Sequence, residues 1–290
     1  MTTLVDLGRE IGEIAERVGP SVVGIGNRWR GGSGVVIADN RILTNAHNVP
    51  GDEVTVTFAD GRTAEAKPLG VDSDGDLAVL QVATDDAPAL EPGTDAPGVG
   101  TPVVALGNPN GHGPRVTLGF VSGTGRSFRG PRGRRVADAI EHTAPLMPGS
   151  SGGPIVSLDG RLLGINTNRI GHGFYLAIAT DAAVATRVNA LGRGESPTRR
   201  HLGVGLAPAH VARRLRRAVG LPERDGLLVR EVEADSAAAA AGIAEGDLIV
   251  AVDGRAIAAG DDLFDALGTD GALEITLVRG ADELTVTVPA

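Results

Sequence analysis

The chain has 290 residues and a formal net charge of −9, and 42% of its residues are hydrophobic although only 2% are aromatic. This length suits one large domain or two unequal domains, with cores filled by Val, Ile, Leu and Ala. The lack of cysteine excludes disulfide, thiolate and cysteine–zinc chemistry, and the acidic balance argues against nucleic-acid binding.

The first twenty residues predict a short amphipathic helix. Its apolar residues recur at helical spacing, at Leu4, Leu7, Ile11, Ile14, Ala15 and Val18. Charged residues interrupt this stretch, so it lacks the continuous apolar region of a signal peptide. No run of about 18 apolar residues occurs elsewhere. We therefore expect a cytoplasmic protein without a membrane span.

Short runs rich in Val, Ile and Leu follow from Ser21 onward, separated by turns such as Asp39-Asn40 and Asp60-Gly61. Strands at this spacing favour an antiparallel barrel. Residues 84–100 are rich in proline and predict a connector to a second series of strands, residues 101–179. Two all-β halves of this kind predict two packed barrels with a cleft at their interface.

The rest of the chain has a different pattern. Residues 181–191 predict a helix, and strand and helix patterns then alternate, as expected for a small α+β domain. The predicted parts are an N-terminal helix (1–19), an all-β domain (20–191), a linker (192–199) and an α+β domain (200–290).

The stretch MPGSSGGPIV, residues 147–156, fits either an ordinary turn or a loop that presents a nucleophile. Gly152 and Gly153 allow a sharp bend and close approach of a substrate. If Ser151 attacks, its own N–H and that of Gly149 can converge on an oxyanion. Ser150 is the alternative nucleophile, without a Gly-Gly pair directly behind it.

A serine nucleophile needs a base and a group that orients the base. Of the six histidines, only His47 ends a strongly apolar strand in the first β half, although a structural histidine would fit there too. Asp76 directly precedes the apolar run LAVL and is the candidate orienter. The alternative for DSDGD, a calcium loop, fails because Leu77 and Ala83 stand where Gly and Glu are needed. We therefore predict no metal and no cofactor.

The order His47, Asp76, Ser151 places the first two residues in one β half and the serine in the other, at the cleft. TNAHNV, DGDLAVL and PGSSGGPIV resemble the histidine, aspartate and serine motifs of trypsin-like proteases of the HtrA family, and ALGNP and GINT resemble further family segments. The likeness covers roughly residues 18–290, the last part being similar to a PDZ domain. It implies a mostly β chain: a trypsin-like double β-barrel followed by a small α+β PDZ domain.

The resemblance implies an ATP-independent serine endopeptidase of protein quality control that acts on unfolded or damaged proteins. His47 is then the general base, Asp76 its orienter and Ser151 the nucleophile, with an oxyanion hole from the Gly149 and Ser151 N–H groups. It also implies a homo-oligomer, a trimer or a multiple of it. The alternative is a chaperone or peptide-binding scaffold with a latent protease domain.

The chain departs from the family pattern at several positions near the site, namely Asn48, Thr143, Met147 and Ser150. The substrate pocket implied by the resemblance contains Leu146 and Ile170. Pro145 stands where enzymes that cut after Arg or Lys hold an Asp, so a basic P1 residue is not expected.

The PDZ likeness implies that a peptide C-terminus adds beside residues 204–206. Its carboxylate would meet N–H groups of the His201-Leu202-Gly203-Val204 loop, and Leu202, Val204 and Leu263 would hold its last side chain. The alternative is that these apolar residues belong to the core. Two basic clusters, interpreted as solvated loop and helix faces, are Arg126, Arg129, Arg132, Arg134 and Arg135, and then Arg213, Arg214, Arg216 and Arg217.

Overall fold

The computed structural model describes residues 4–27, 30–93, 96–130, 135–171, 173–197, 201–268 and 271–289. The chain divides into two compact units, Met1–Pro197 and Thr198–Ala290. The mostly β fold class predicted from the sequence is confirmed.

The first unit begins with a helix and continues into a closed six-stranded barrel. Helix α1 (Leu4–Val18) buries Ile14 and Val18, in agreement with the periodicity of its apolar residues. The strands of the barrel pair in the order β1-β2-β3-β6-β5-β4. They are β1 (Val22–Asn27), β2 (Arg30–Ala38), β3 (Arg41–Thr44), β4 (Val54–Thr57), β5 (Thr63–Asp72) and β6 (Leu77–Gln81).

A second closed barrel completes this unit, in the order β10-β11-β12-β9-β8-β7. Its strands are β7 (Pro102–Gly107), β8 (Arg115–Arg129), β9 (Arg135–His142), β10 (Pro154–Val156), β11 (Leu162–Ile170) and β12 (Phe174–Ala179). Helix α2 (Ala182–Gly192) follows, with Asp181 as its N-cap because the side chain accepts the Val184 N–H at 2.8 Å.

Branched aliphatic side chains fill both barrels, as the composition predicts. Inside the first barrel lie Val23, Ile25, Val36, Ile42 and Val56, together with Phe58. Inside the second lie Val103, Val121, Ile140 and Ile155, together with smaller alanines. Val and Ile suit these positions because a branched side chain packs well on a pleated, half-buried surface.

The second unit is one antiparallel sheet with three short helices. Its strands, in the order β13-β14-β15-β17-β18 with β16 beside β15, are β13 (Val204–Ala207), β14 (Leu227–Val232), β15 (Leu248–Val252), β16 (Arg255–Ala256), β17 (Leu273–Arg279) and β18 (Asp282–Val288). The helices are α3 (Ala209–Ala218), α4 (Ala237–Ala240) and α5 (Gly260–Ala266).

The main difference from the predicted elements is the β8–β9 hairpin. The apolar pattern predicts a strand that ends near Gly123, but β8 continues to Arg129 and β9 starts at Arg135. Backbone pairing, for example of Phe128 with Val136, holds this extension although its residues are mostly polar or glycine. The first arginine cluster therefore lies partly on strands and not only on a loop.

Candidate active site

His47 lies in a 3₁₀ turn, Ala46–Asn48, that is separated from the end of β3 by one residue, Asn45. Asn45, fully buried, fixes this turn by donating its side-chain N–H to the carbonyl of Asp76 at 2.9 Å. The backbone N–H of His47 also donates to Asp76 Oδ1, at 3.2 Å. The turn that carries the histidine is therefore joined to Asp76, just before β6, through two hydrogen bonds that do not involve the imidazole.

Asp76 is 1% exposed, and its carboxylate accepts three kinds of donor. His47 Nδ1 lies 2.8 Å from Oδ1 and 3.0 Å from Oδ2, and Thr167 Oγ1 donates to Oδ2 at 2.7 Å. A carboxylate only accepts hydrogen bonds, so the proton of the neutral imidazole is held on Nδ1. This arrangement leaves Nε2 as the basic nitrogen.

Ser151 lies in the turn between β9 and β10, half-buried. Its hydroxyl donates to the carbonyl of Thr167 at 2.9 Å, and within the described residues no hydrogen bond joins it to His47. Hydrogen bonds of a catalytic site are often absent or long before substrate binds. Thr167 contacts both other residues, Asp76 through its hydroxyl and Ser151 through its carbonyl.

The backbone of the serine loop is held by Ser33, which is fully buried on β2. Ser33 Oγ donates to the carbonyl of Gly149 at 2.8 Å, and its N–H donates to the carbonyl of Ser151 at 2.7 Å. Gly152 needs its φ of +89°, and a Cβ there would overlap the Ser33 carbonyl. Ser33 thus joins the first barrel to the main-chain carbonyls on both sides of Ser150, through its hydroxyl on one side and its N–H on the other.

Two N–H groups of this loop are the candidate oxyanion donors. Gly149 adopts a φ of +88°, and neither its N–H nor that of Ser151 donates to an acceptor among the described residues. By contrast, the N–H groups of Ser150, Gly152 and Gly153 are all satisfied within the loop or by β11. The loop therefore keeps two N–H donors for a ligand, and they belong to the two residues predicted from the sequence.

A cavity of about 230 Å³ opens beside the imidazole. Its lining residues are His47, Phe128, Arg129, Gly130, Thr167 and Asn168. The predicted pocket residues are not among them: Leu146 packs against the core of the second barrel, and Ile170 lies 41% exposed at the end of β11. Their role in substrate binding stays a prediction.

Sequence reasoning missed Thr167, Ser33 and Asn166. Asn166 and Thr167 end GINT, which the sequence marks only as a segment that resembles the family. Asn166 joins β11 to the serine loop by accepting the Gly152 N–H at 2.7 Å and donating to Gly153 at 2.8 Å. No local pattern marks Ser33, because its partners lie in the other barrel.

The aspartate-rich stretch before β6 is a turn. Asp72 Oδ1 accepts the N–H of Asp74 at 3.2 Å and that of Gly75 at 2.9 Å. Its Oδ2 lies 3.4 Å from Arg187 Nη1. Asp72 is therefore engaged in stabilising the turn that presents Asp76. Across the described residues no group of three or more ligating side chains is placed to hold a metal ion.

Among the described strands of the second unit, β13 lies at the edge of the sheet and pairs with β14 alone. The N–H groups of Leu202 and Gly203 donate to no acceptor in the described part of the chain. His201 Nε2 lies 2.6 Å from Glu233 Oε2. Leu202 and Leu263 are 4% and 1% exposed and belong to the core of the unit, whereas Val204 is partly buried against it.

The arginines of helix α3 are largely engaged. Arg213 pairs with Asp225, and Arg217 Nε donates to Glu223 at 2.8 Å. Arg216 is buried and donates to the carbonyls of Pro222 and Gly280. In the first cluster, Arg126 lies 3.4 Å from Glu141, and Arg132 and Arg134 lie outside the described residues. These pairings reduce the positive field that a nucleic-acid surface would need.

Comparisons with known proteins agree with this geometry. The trypsin-like peptidase domain matches residues 32–165, and the PDZ domain matches residues 201–289. A Synechocystis protein assigned as the serine protease HhoA is 38% identical over 277 residues, which cover 89% of this chain and 69% of the relative.

The chain belongs to the HtrA family of serine proteases.

Two further relatives of this HtrA-family chain are similar over 89% of its length. Mitochondrial HTRA2 of Drosophila willistoni is 33% identical, with 64% of the relative covered. A DegP-like periplasmic serine endoprotease of Halomonas elongata is 35% identical, with 55% covered. The chain thus spans between 55% and 69% of the length of these curated relatives.

Solved structures give the same result. The HtrA-type protease AlgW with decapeptide has a TM-score of 0.72 and 27% identity, with 96% of this chain and 97% of that chain covered. The serine endoprotease from Yersinia pestis has a TM-score of 0.70 and 29% identity, with 96% of each chain covered.

The predicted cytoplasmic location is wrong. Relatives from Halomonas elongata and Pseudomonas fulva are named as periplasmic serine endoproteases. The prediction depended on finding no apolar leader in residues 1–20, and the lack of such a segment does not determine a compartment. No helix within the described ranges combines the length and apolar character needed to cross a membrane.

Proposed function

We propose that this HtrA-family protease is an ATP-independent endopeptidase that cleaves unfolded or damaged proteins through an acyl-enzyme. The observation that carries the proposal is the 2.8 Å pair between buried Asp76 and His47, with Thr167 bonded to both Asp76 and Ser151. The relatives are named as serine proteases and endoproteases, which supports internal cleavage of peptide bonds. The choice of unfolded or damaged proteins as substrates follows from the resemblance to the HtrA family.

In the proposed mechanism, Asp76 keeps the proton of His47 on Nδ1, so Nε2 can act as general base. Ser151 Oγ turns from the Thr167 carbonyl toward Nε2, transfers its proton there and attacks the carbonyl carbon of the substrate. The carbonyl oxygen takes up the negative charge and accepts the N–H groups of Gly149 and Ser151.

The proton on Nε2 then passes to the leaving amine as the C–N bond breaks, and the acyl group remains on Ser151 Oγ. Water repeats the sequence: it gives a proton to His47 Nε2, attacks the ester carbonyl and releases the acid with Ser151 restored. Every proton taken by His47 is returned within the cycle, so the reaction needs no other donor and no cofactor.

Probe labelling and proteolysis test the proposal. A fluorophosphonate probe is expected to label the wild-type chain and not the Ser151→Ala variant, because only the hydroxyl of Ser151 forms the covalent bond. Cleavage of an unfolded protein should be lost in the same variant, and Ser150→Ala is the matched control that keeps Ser151. A wild-type chain that is neither labelled nor active, or a Ser151→Ala chain that still is, would contradict the proposal.

We further propose that the PDZ unit binds peptide C-termini along β13. The open edge of β13 and the unused N–H groups of Leu202 and Gly203 support this assignment. The similar HtrA-type protease AlgW has a solved structure with a decapeptide, which supports peptide binding in general.

Amidation of the peptide C-terminus is expected to weaken binding to the full chain by about 10- to 100-fold, because it removes hydrogen bonds to a charged carboxylate. Calorimetry with the free-acid and amide forms measures the difference, and acetylation of the peptide N-terminus is the control. Equal affinity of the two forms would refute recognition of the carboxylate.

The resemblance to the HtrA family supports assembly as a homotrimer or a multiple of it. Leu4 and Val5, at the start of α1, are 87% and 80% exposed and are suited to a contact with another copy. The names of the relatives from Halomonas and Pseudomonas favour a periplasmic location.

A further inference from the structure

Asn48 directly follows His47 in the 3₁₀ turn. It is one of the positions at which the sequence departs from the family pattern. An aliphatic side chain can only pack, whereas the amide of Asn48 offers two N–H donors and one carbonyl acceptor.

The amide nitrogen uses both of its hydrogens. Asn48 Nδ2 donates to the carbonyl oxygen of Ser151 at 3.0 Å and to Thr44 Oγ1 at 3.0 Å. Thr44 gives its own hydroxyl proton to the carbonyl of Ser33 at 2.6 Å, so it can only accept from Asn48. Both partners are acceptors, and this chemistry determines that the nitrogen, not the oxygen, of the amide faces them.

The neighbouring backbone leaves room for this side chain. A Cβ at Gly32 would overlap the amide of Asn48, and a Cβ at Gly152 would lie 2.9 Å from Nδ2. Two glycines from different barrels therefore border the amide. A side chain larger than hydrogen at Gly32 is incompatible with the present position of the Asn48 amide.

The contact fixes the peptide unit that follows the nucleophile. The carbonyl of Ser151 accepts the N–H of Ser33 at 2.7 Å as well as Asn48 Nδ2. The other end of the same peptide unit, the N–H of Gly152, donates to the carbonyl of Asn166 at 2.7 Å. The first barrel thus holds the C=O and the second barrel holds the N–H.

We propose that Asn48 is a positioning residue that holds the backbone of Ser151 at a fixed distance from the imidazole of His47 and thereby sets the rate of acylation. The inference rests on the proposed serine-protease function. One short turn carries both the base, His47, and the donor that anchors the nucleophile, Asn48. A movement of this turn therefore moves the imidazole and the backbone of Ser151 together. Misplacement of reacting groups by about 1 Å can cost about 100-fold in rate.

Asn48→Ala tests the inference, since it removes both donors without adding volume. We expect the rate of fluorophosphonate labelling and kcat on an unfolded protein to fall about tenfold, because only one of the two lost hydrogen bonds, that to the Ser151 carbonyl, holds the nucleophile in the transition state. KM should stay within about twofold, since no contact to substrate is removed. The pH at half-maximal kcat/KM should not move, because Asn48 makes no hydrogen bond to the imidazole among the described residues.

Two further variants separate positioning from packing. Asn48→Asp keeps the shape but sets carboxylate oxygens against two acceptors, so it should be slower than Asn48→Ala, whereas a packing role predicts the reverse order. Thr117→Val is the matched control: it removes a side-chain hydrogen bond of 2.8 Å to Pro145 of the same loop, and its labelling rate should stay within about twofold of wild type.

The outcomes are distinct. Labelling of Asn48→Ala at the wild-type rate, or an equal loss in Thr117→Val, overturns the inference while leaving the protease function in place. A wild-type chain that is not labelled overturns the proposed function and this inference with it.

Discussion

Replacing Asp76 with Asn is expected to lower kcat by about 10⁴-fold, because the imidazole of His47 would then adopt the wrong tautomer. The carboxylate now accepts His47 Nδ1, the His47 N–H and Thr167 Oγ1. An amide replaces one of its two oxygens by an NH₂ group, which is a donor. His47 can then accept that hydrogen on Nδ1 and carry its proton on Nε2, where it can no longer deprotonate Ser151.

The backbone should tolerate this change. Asp76 has a φ of +55°, and Asn is among the few residues that adopt this left-handed conformation readily. Asp85 offers a matched control because its φ is +46°, and its exposed carboxylate pairs with Arg62 at 3.0 Å. Asp85→Asn makes the same chemical change in the same backbone region, away from the imidazole.

Steady-state kinetics on an unfolded protein and the rate of probe labelling measure the effect. We expect Asp85→Asn to match wild type in both assays, and Asp76→Asn to unfold at a temperature close to that of wild type. An Asp76→Asn chain that keeps more than about a tenth of wild-type kcat would show that Asp76 does not orient the base.

Residues that begin or end apolar strands could be found from the sequence. His47 follows β3, and Asp76 directly precedes β6. In both cases a polar residue stands at the edge of a run of buried aliphatic residues. Ser151 was marked by the Gly-Gly pair behind it. The alternation of apolar strands and turns also predicted two barrels, because strand period and turn chemistry are local properties of the chain.

The contacts between the barrels could not be found in this way. Ser33 and the carbonyl of Gly149 are 116 residues apart in the chain, and their hydrogen bond depends on how the two barrels dock. The extension of β8 past Gly123 was missed for a similar reason: its ladder partners on β9 hold it as a strand, and its side chains carry no apolar alternation.

The apolar residues of the predicted peptide groove show a different limit. Leu263, on the short helix α5, and Leu202, just before β13, are buried in the core of the second unit. The spacing of apolar residues cannot distinguish the floor of a groove from the core below it. Periodicity reports which face is buried and does not report what buries it.

His142 is the basis of the second prediction. It ends β9, is fully buried and donates from Nε2 to Asn166 Oδ1 at 3.0 Å. Its ring stacks on Tyr175, with centroids 5.8 Å apart. Nδ1 finds no partner among the described residues. Protonation would therefore place a charge and a further N–H in a site without an acceptor.

Burial lowers the pKa of His142 from 6.5 to about 4, against the hydrogen bond to Asn166, which raises it. The unfolded chain takes up a proton on this residue below about pH 6.5, whereas the folded chain does so only near pH 4. The contribution of His142 to the free energy of unfolding is therefore fully present above pH 6.5 and is lost as the pH falls toward 4. The loss from this one group amounts to about 3 kcal/mol.

Chemical denaturation of the wild-type chain and of His142→Gln between pH 7 and pH 4.5 measures this contribution. The chain has a single tyrosine, Tyr175, which is buried and stacks on His142, so its near-UV circular dichroism reports on the unit that contains His142. Other groups titrate alike in both chains and cancel in the difference. The exposed His201, changed to Gln in a control chain, lies in the second unit and should leave this transition unchanged.

We expect the free energy of unfolding of wild type minus that of His142→Gln to fall by about 2 to 3 kcal/mol from pH 7 to pH 4.5. A difference that is constant with pH would show that His142 titrates normally in the folded chain. The effect bears on catalysis through Asn166, which accepts from His142 and also holds Gly152 and Gly153 behind the nucleophile. His142 is therefore one hydrogen bond removed from the residue that holds the peptide unit of Ser151 and Gly152 from the second barrel, whereas Ser33 and Asn48 hold the same unit from the first.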